Sequence, residues 1–427
     1  MKRTAQHGAQ PSRGFDCILG NPPFLNQLES GTALARQTAA IVGATYGGAR
    51  KSYTDVSALF LLLSGRITRA GGRYSLVQPQ SVLAAADAKV VRDAMLADGS
   101  LAALWVSNEH VFAEATVYTC AITIEKNGAR QRMVQRSHSG AFVPLDPTEI
   151  DSDALIAEET WSHLTAEASG IPSPAIHTDG CIGDLAAVTA DFRDQYYGLD
   201  GFLVEHAECS GSSAGADFEH RFPPIVTTGA IDLACCRWGA SPMRILKKKW
   251  QAPRIDRARM ERGGTLAPWM TQRLVPKVLV ATQTKIIEVF ADETGRFLPS
   301  VPVLSVVPND PGDTLLLAAA LAAPPISALA MTKYSGAALS ADAIKLSAKQ
   351  AAALPLPAHR AAWNLAAAAF AEAQRQTDDA ARLERLSAFG EAACDAYGVQ
   401  PAGRGPLLAW WTDRLGLDLS EDGGTDE

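Results

Sequence analysis

The sequence has little that would organise a fold through cross-links or metal. Its seven cysteines stand at positions 17, 120, 181, 209, 235, 236 and 394, with no C-x-x-C pair and no histidine at ligand spacing from them. That argues against a zinc site and a disulfide framework, and leaves reduced, mostly buried thiols as the expectation. Long hydrophobic runs are also scarce. The most apolar stretch, LLLAAALAAPPISALAM at 315–331, is interrupted by Pro324 and Pro325. It is short for a membrane span, and its prolines point to a buried helix pair. The opening MKRTAQHGAQPSRG carries basic residues but no apolar run, so it does not read as a signal peptide. A cytoplasmic protein without membrane association is expected. No internal repeat and no nuclease motif is visible.

What is present is a 427-residue chain, 47% hydrophobic and 20% charged, as expected for a globular protein of two or three domains. The net charge of −7 hides a strong segregation. Residues 1–130 hold 13 Lys/Arg against 9 Asp/Glu, residues 131–230 hold 4 against 16, and residues 237–285 hold 12 against 2. A basic block of that density in an acidic chain suggests a surface facing a polyanion. The plain alternative is a set of solvated faces whose charges find partners elsewhere in the fold.

Strand-like and helix-like segments alternate over the first 126 residues, which predicts an α/β sheet. FDCILG (15–20), RYSLVQP (73–79), SLAALWVS (100–107) and VYTCAITIEK (117–126) read as strands. Residues 52–70 and 81–99 read as helices, each stopped by glycine in the manner of a C-cap. An acidic segment, 131–215, reads as a connector with local helices. Short β-like runs follow over 220–310, then an Ala-rich helical region from 313 to 396, and an acidic tail expected to be disordered over 419–427. The domain plan expected is a tail (1–14), an α/β domain (15–130), the connector, a mixed α+β domain (216–357) and C-terminal helices (358–418).

The segment that carries chemistry is Asn21-Pro22-Pro23-Phe24, directly after the first strand. Proline lacks an N–H, fixes φ and pushes the preceding residue out of the helical region. Two in succession make a stiff extended loop at the C-terminal edge of a strand, where open α/β sheets bind ligands. Such a loop holds the Asn21 amide and the carbonyls of Asn21 and Pro22 in place beside the Phe24 ring. Two acceptors so placed can grip the two N–H bonds of a flat aromatic amine, and the ring can stack on the base and tolerate positive charge developing on its nitrogen. What remains is to align that nitrogen with a methyl donor.

NPPF after an apolar strand resembles the catalytic motif of adenine-specific DNA amino-methyltransferases of the restriction–modification type. Residues 15–126 resemble the second half of that catalytic domain, including SYTDVSALFLLLSGRITRAGGRYSLVQPQSVL and HVFAEATVYTCAITIEK. The resemblance implies a partial Rossmann-like sheet, S-adenosylmethionine as donor, and a target adenine flipped from duplex DNA. It casts Asn21, Pro22, Pro23 and Phe24 as the catalytic loop and Phe112 as the ring facing Phe24 across the base. PKVLVATQTKIIEVFADETGRFLPSVPVLSVV (276–307) and MTKYSGAALSADAIKLSAKQAAALPLP (331–357) resemble the target-recognition domain of such enzymes. The basic block around them supplies Lys247, Lys248, Lys249, Arg254, Arg273, Lys277 and Lys285 as candidate phosphate contacts, with Thr282 and Gln283 placed to reach base edges. Trp238 and Trp250 are expected in a core. NPPY-type motifs also serve enzymes that methylate a protein glutamine amide, a reading that the long C-terminal half disfavours.

The family's donor pocket is built mainly by strands that precede this motif, and only 14 residues precede FDCILG here. A fragment or split enzyme completed by a second chain is therefore expected, with strand 15–20 on an open sheet edge. The alternative is a non-catalytic subunit that supplies DNA specificity to a partner.

Overall fold

The computed structural model describes residues 14–24, 56–107, 109, 111–112, 117–166, 170–191, 193–209, 216–263, 265–334 and 343–415. The tails expected at the two ends fall almost wholly outside these residues. The chain divides into two compact units, residues 1–170 with 333–342, and residues 171–332 with 343–427.

The first unit is built on a six-stranded mixed sheet. Its strands are β1 (Phe15–Gly20), β2 (Thr68–Pro79), β3 (Gly99–Val106), β4 (Thr119–Lys126), β5 (Gln131–His138) and β6 (Val143–Asp151), in the order β1-β2-β4-β3-β5-β6. β1 runs parallel to β2, whereas β4 runs antiparallel to both β2 and β3. β1, β2 and β3 therefore point the same way, with β4 reversed between the last two. This is a mixed α/β sheet of the class expected from sequence. Helices α1 (Val56–Ile67) and α2 (Lys89–Ala97) supply Leu61, Val91, Met95 and Leu96 to a core closed by Leu76, Leu104, Ile122 and Ile124 from the sheet.

Three local expectations need correction. Gly71 and Gly72 do not cap the first helix, which ends at Ile67. They lie inside β2, where the pairing with β1 slips between Phe15 and Cys17. A Cβ on Gly72 would stand 2.8 Å from the Phe15 carbonyl oxygen, so close approach of two backbones decides the glycine. The helix expected over 81–99 breaks at Ala85, whose backbone is extended, and Gly99 starts β3. The buried Arg92 closes that break by donating to the carbonyls of Val82, Ala85 and Glu159. Finally, the first part of the expected connector is sheet: β5 pairs in parallel with β3, and β6 returns beside it.

The second unit centres on a four-stranded antiparallel sheet. It comprises β7 (Ala186–Ala190), β10 (Lys277–Val280), β11 (Val289–Asp292) and β12 (Leu304–Pro308), in the order β11-β10-β12-β7. Between β7 and β10 the chain forms a hairpin, β8 (Met243–Ile245) and β9 (Lys248–Trp250). The apolar run at 315–331 becomes α3 (Thr314–Ala322) and α4 (Pro324–Tyr334), buried and bent by 60° at the prolines, as expected. No single helix among the described residues is long and apolar enough to cross a membrane. Further helices, α5 (Arg360–Gln374), α6 (Asp379–Ala396) and α7 (Pro401–Thr412), complete the unit.

One half-buried acid in this unit gives a pH dependence. Burial, reinforced by Asp232, pushes the Glu288 carboxyl up from 4.5 to about 8. A carboxyl that holds its proton more tightly when folded favours the folded state at low pH. Stability should therefore fall as pH rises from about 4.5 through about 8, and level off above. Glu288→Gln should remove this component, which is of the order of a few kcal/mol. Thermal unfolding of both proteins from acid to alkaline pH checks it, and identical pH profiles would contradict it.

Candidate functional site

The first cluster forms where β1, β2 and β3 end together. β1 leaves the sheet at Gly20, opposite Leu76, and the chain enters Asn21-Pro22-Pro23-Phe24. Asn21 and Pro23 are exposed, Pro22 is buried and Phe24 is half-buried. The loop is thus anchored through one proline while the asparagine amide stays open to a ligand. Phe112, beyond the end of β3, meets Phe24 edge-on with ring centroids 6.0 Å apart and planes at 75°. The tertiary fold brings together two aromatic rings far apart in the chain. A base sandwiched between them would need the rings near parallel and roughly 7 Å apart, twice an aromatic contact distance, so here they occupy each other's place.

Sequence reasoning missed a residue that braces the segment carrying Phe112. Gln80 follows the last residue of β2, and its Nε2 donates to the carbonyls of Ser107 (2.6 Å) and Thr119 (3.2 Å). Its own N–H donates to the Tyr118 carbonyl. Gln80 therefore fastens the exit of β3 to the entry of β4, on either side of the segment carrying Phe112. The neighbouring Gln78 is fully buried, and its Oε1 has no partner. The only sequence signal was a pair of glutamines flanking Pro79 at a strand end.

In the second unit the basic block separates into two kinds of residue. Lys277 is wholly buried, its Nζ 2.6 Å from Asp292, whose side chain is 1% exposed. Burial pushes its pKa down against the pull of Asp292. Arg254 is 2% exposed. It binds Glu219 through two nitrogens at 2.9 and 3.1 Å, donates to His206 Nδ1, and lies over the rings of Trp238 and Phe218. Arg273 binds the buried Asp191 at 2.8 Å. Arg254, Arg273 and Lys277 are therefore corrected from candidate phosphate contacts to internal ion pairs, because each charge already has a carboxylate and little or no exposure. Trp238 and Trp250 donate to the carbonyls of Pro253 and Ile245, which fits the core role expected.

Lys247, Lys248 and Lys249, by contrast, are exposed on the β8–β9 hairpin, and Gln283 and Lys285 are exposed on the loop after β10. Thr282 is buried, its hydroxyl donating to the Pro302 carbonyl at 3.2 Å. Pro302, Tyr197, Thr228 and Arg244 line one cavity of about 380 Å³. Sequence reading did not single out Arg244 or Tyr197. Among the described residues no group of His, Cys, Asp and Glu is arranged to hold a metal ion.

Comparison with known proteins agrees with the sequence resemblance. Residues 3–112 match the family model described as Eco57I restriction-modification methylase. The fold resembles that of the type IIL restriction-modification enzyme MmeI, solved in complex with DNA, at 13% identity and a TM-score of 0.53. The match covers 93% of this chain and 57% of that one, so the chain spans little more than half of that enzyme's length. Weaker matches include the type IIG restriction endonuclease BpuSI (12% identity, 93% of this chain and 54% of that one, TM-score 0.35). Another is a nuclease-deletion mutant of the type ISP restriction-modification enzyme LlaGI (10% identity, 84% and 41%, TM-score 0.42). No curated protein matches in sequence. The resemblance to restriction–modification methylases is borne out over residues 3–112, and beyond them the likeness is one of fold.

Proposed function

We propose that this chain carries the amine-binding half of a site that transfers a methyl group from S-adenosylmethionine to the exocyclic amine of an adenine flipped out of double-stranded DNA. The observation that carries the reading is the meeting of Phe24 and Phe112 beside the open Asn21 amide, at the sheet edge where β1 and β3 end. On entry of a base the two rings part and replace its lost stacking. Asn21 and the carbonyls of the proline loop accept from the amino group, draw it toward pyramidal geometry and expose its lone pair. Gln80 keeps the Phe112 segment aimed at the site. The second unit binds the duplex around the target.

The methyl donor would sit beside β1. Among the described residues β1 has one strand neighbour, β2, and Phe15 and Leu19 on it are 60% and 77% exposed. An open apolar edge of this kind accepts a further strand. We read it as the docking edge for a donor-binding segment, carried by a second chain or by further sequence of the same protein.

The test is transfer of labelled methyl from S-adenosylmethionine to DNA, by this chain alone and together with a separately produced donor-binding methyltransferase chain. The expected result is N6-methyladenine in the product, in at least one arm. DNA binding without transfer in either arm would favour a specificity module instead. Methyl transfer to a protein amide, with none to DNA, would overturn the reading.

A further inference from the structure

We infer that the β8–β9 hairpin enters the major groove of duplex DNA as a two-stranded ribbon, with Arg244 at its root on a backbone phosphate. The inference rests on the DNA reading above and assigns the element that makes the contact. It begins from charge left over. Arg254, Arg273 and Lys277 each have a carboxylate, whereas Arg244, Lys247, Lys248 and Lys249 have no ion-pair partner among the described residues. All four are exposed, and all lie on one hairpin.

The hairpin is built at a local cost. Arg244 stands directly opposite Lys249 in the register, and like charges in that position repel. The two-residue turn, Leu246-Lys247, has φ of 52° and 65°, the left-handed pair that tightens a hairpin but disfavours residues with side chains. Two contacts hold it there. The Leu246 N–H donates to the Tyr196 hydroxyl at 2.8 Å, and the Leu246 side chain packs against the buried cluster that includes Ile245. The apolar contacts hold the hairpin to the unit and leave the basic residues facing outward. Duplex phosphates would offset the repulsion between Arg244 and Lys249.

The dimensions and surroundings agree. The major groove admits a two-stranded ribbon, whereas the minor groove is about half as wide. The cavity at the root of the hairpin brings Arg244 next to Thr228, whose Oγ1 is buried without a partner, and next to Tyr197. That is donor chemistry suited to a phosphate beside the groove. Pro302 on the cavity's rim accepts from Thr282, the neighbour of the exposed Gln283, so a second polar loop borders the same surface.

The experiment measures duplex binding by the full chain as a function of salt, by fluorescence anisotropy. Lys247→Ala/Lys248→Ala/Lys249→Ala should make the slope of log K against log salt shallower by roughly 2–3, at about 0.9 per phosphate contact. The matching triple Lys→Arg variant should restore it. Binding should weaken at least tenfold on DNA whose cytosines carry glucosylated hydroxymethyl groups, which fill the major groove, and the triple Ala variant should be far less sensitive to that change. Wild-type binding that is absent or indifferent to salt would overturn the DNA reading itself. Salt-dependent wild-type binding with an unchanged slope in the triple Ala variant would overturn the hairpin assignment alone. Equal affinity for glucosylated and plain DNA would overturn the groove assignment.

Discussion

Asp292→Ala should unfold the second unit under conditions in which the native chain remains folded. Lys277 and Asp292 stand directly opposite each other in the β10–β11 pairing, with side chains 0% and 1% exposed. Removing the carboxylate strands an ammonium in the interior, which typically costs about 3–5 kcal/mol. It also removes the acceptor for the backbone N–H groups of Arg296 and Phe297, each bonded at 3.0 Å. Against a total stability of about 5–15 kcal/mol the loss is severe. Lys277→Met should be milder, because Asp292 keeps those two backbone donors. Denaturant unfolding followed by tryptophan fluorescence measures both. A loss under about 1 kcal/mol for Asp292→Ala, the scale of a surface pair, would show that the burial argument is wrong.

Asn21→Ala should abolish most methyl transfer while leaving the fold intact. The side chain is exposed and the loop is anchored by the buried Pro22, so stability should change by less than about 0.5 kcal/mol. Removing one polar group aimed at a reacting centre typically slows the chemical step on the order of 10²–10³-fold. The loss should appear in kcat, with DNA affinity little altered, because in the role proposed above the amide acts on the amine and not on the duplex. Single-turnover transfer and duplex binding, measured side by side, separate the two. A variant that keeps a third or more of the native rate would remove Asn21 from the chemistry.

These predictions draw on features of different legibility. The strand, the proline loop and the order of segments from 15 to 126 were readable because each depends on neighbours within a few residues: alternation, proline geometry, apolar runs. The bend at Pro324-Pro325 was readable for the same reason. Gly71 and Gly72 were misread as a cap because their role is set by the approach of β1, a contact across more than fifty residues. The basic block misled in the same way. Arg254 finds Glu219 35 residues away and Arg273 finds Asp191 82 residues away, so a count of charge within a window could not see them neutralised. Gln80 was invisible because an exposed and a clasping glutamine look identical until the two loops it joins are in place.

By itself the sequence determined the local chemistry: a rigid loop with an open amide and an aromatic ring at a strand end, a second ring further along, and a surplus of basic charge between 237 and 285. Only the tertiary structure decided that the two rings meet each other directly, edge-on, and which of those charges are neutralised inside the fold and which stay free on the hairpin. The reason is physical. Backbone stiffness and side-chain type are properties of a few adjacent residues, whereas burial, pairing and approach are set by segments that the folded sheet brings together from far along the chain.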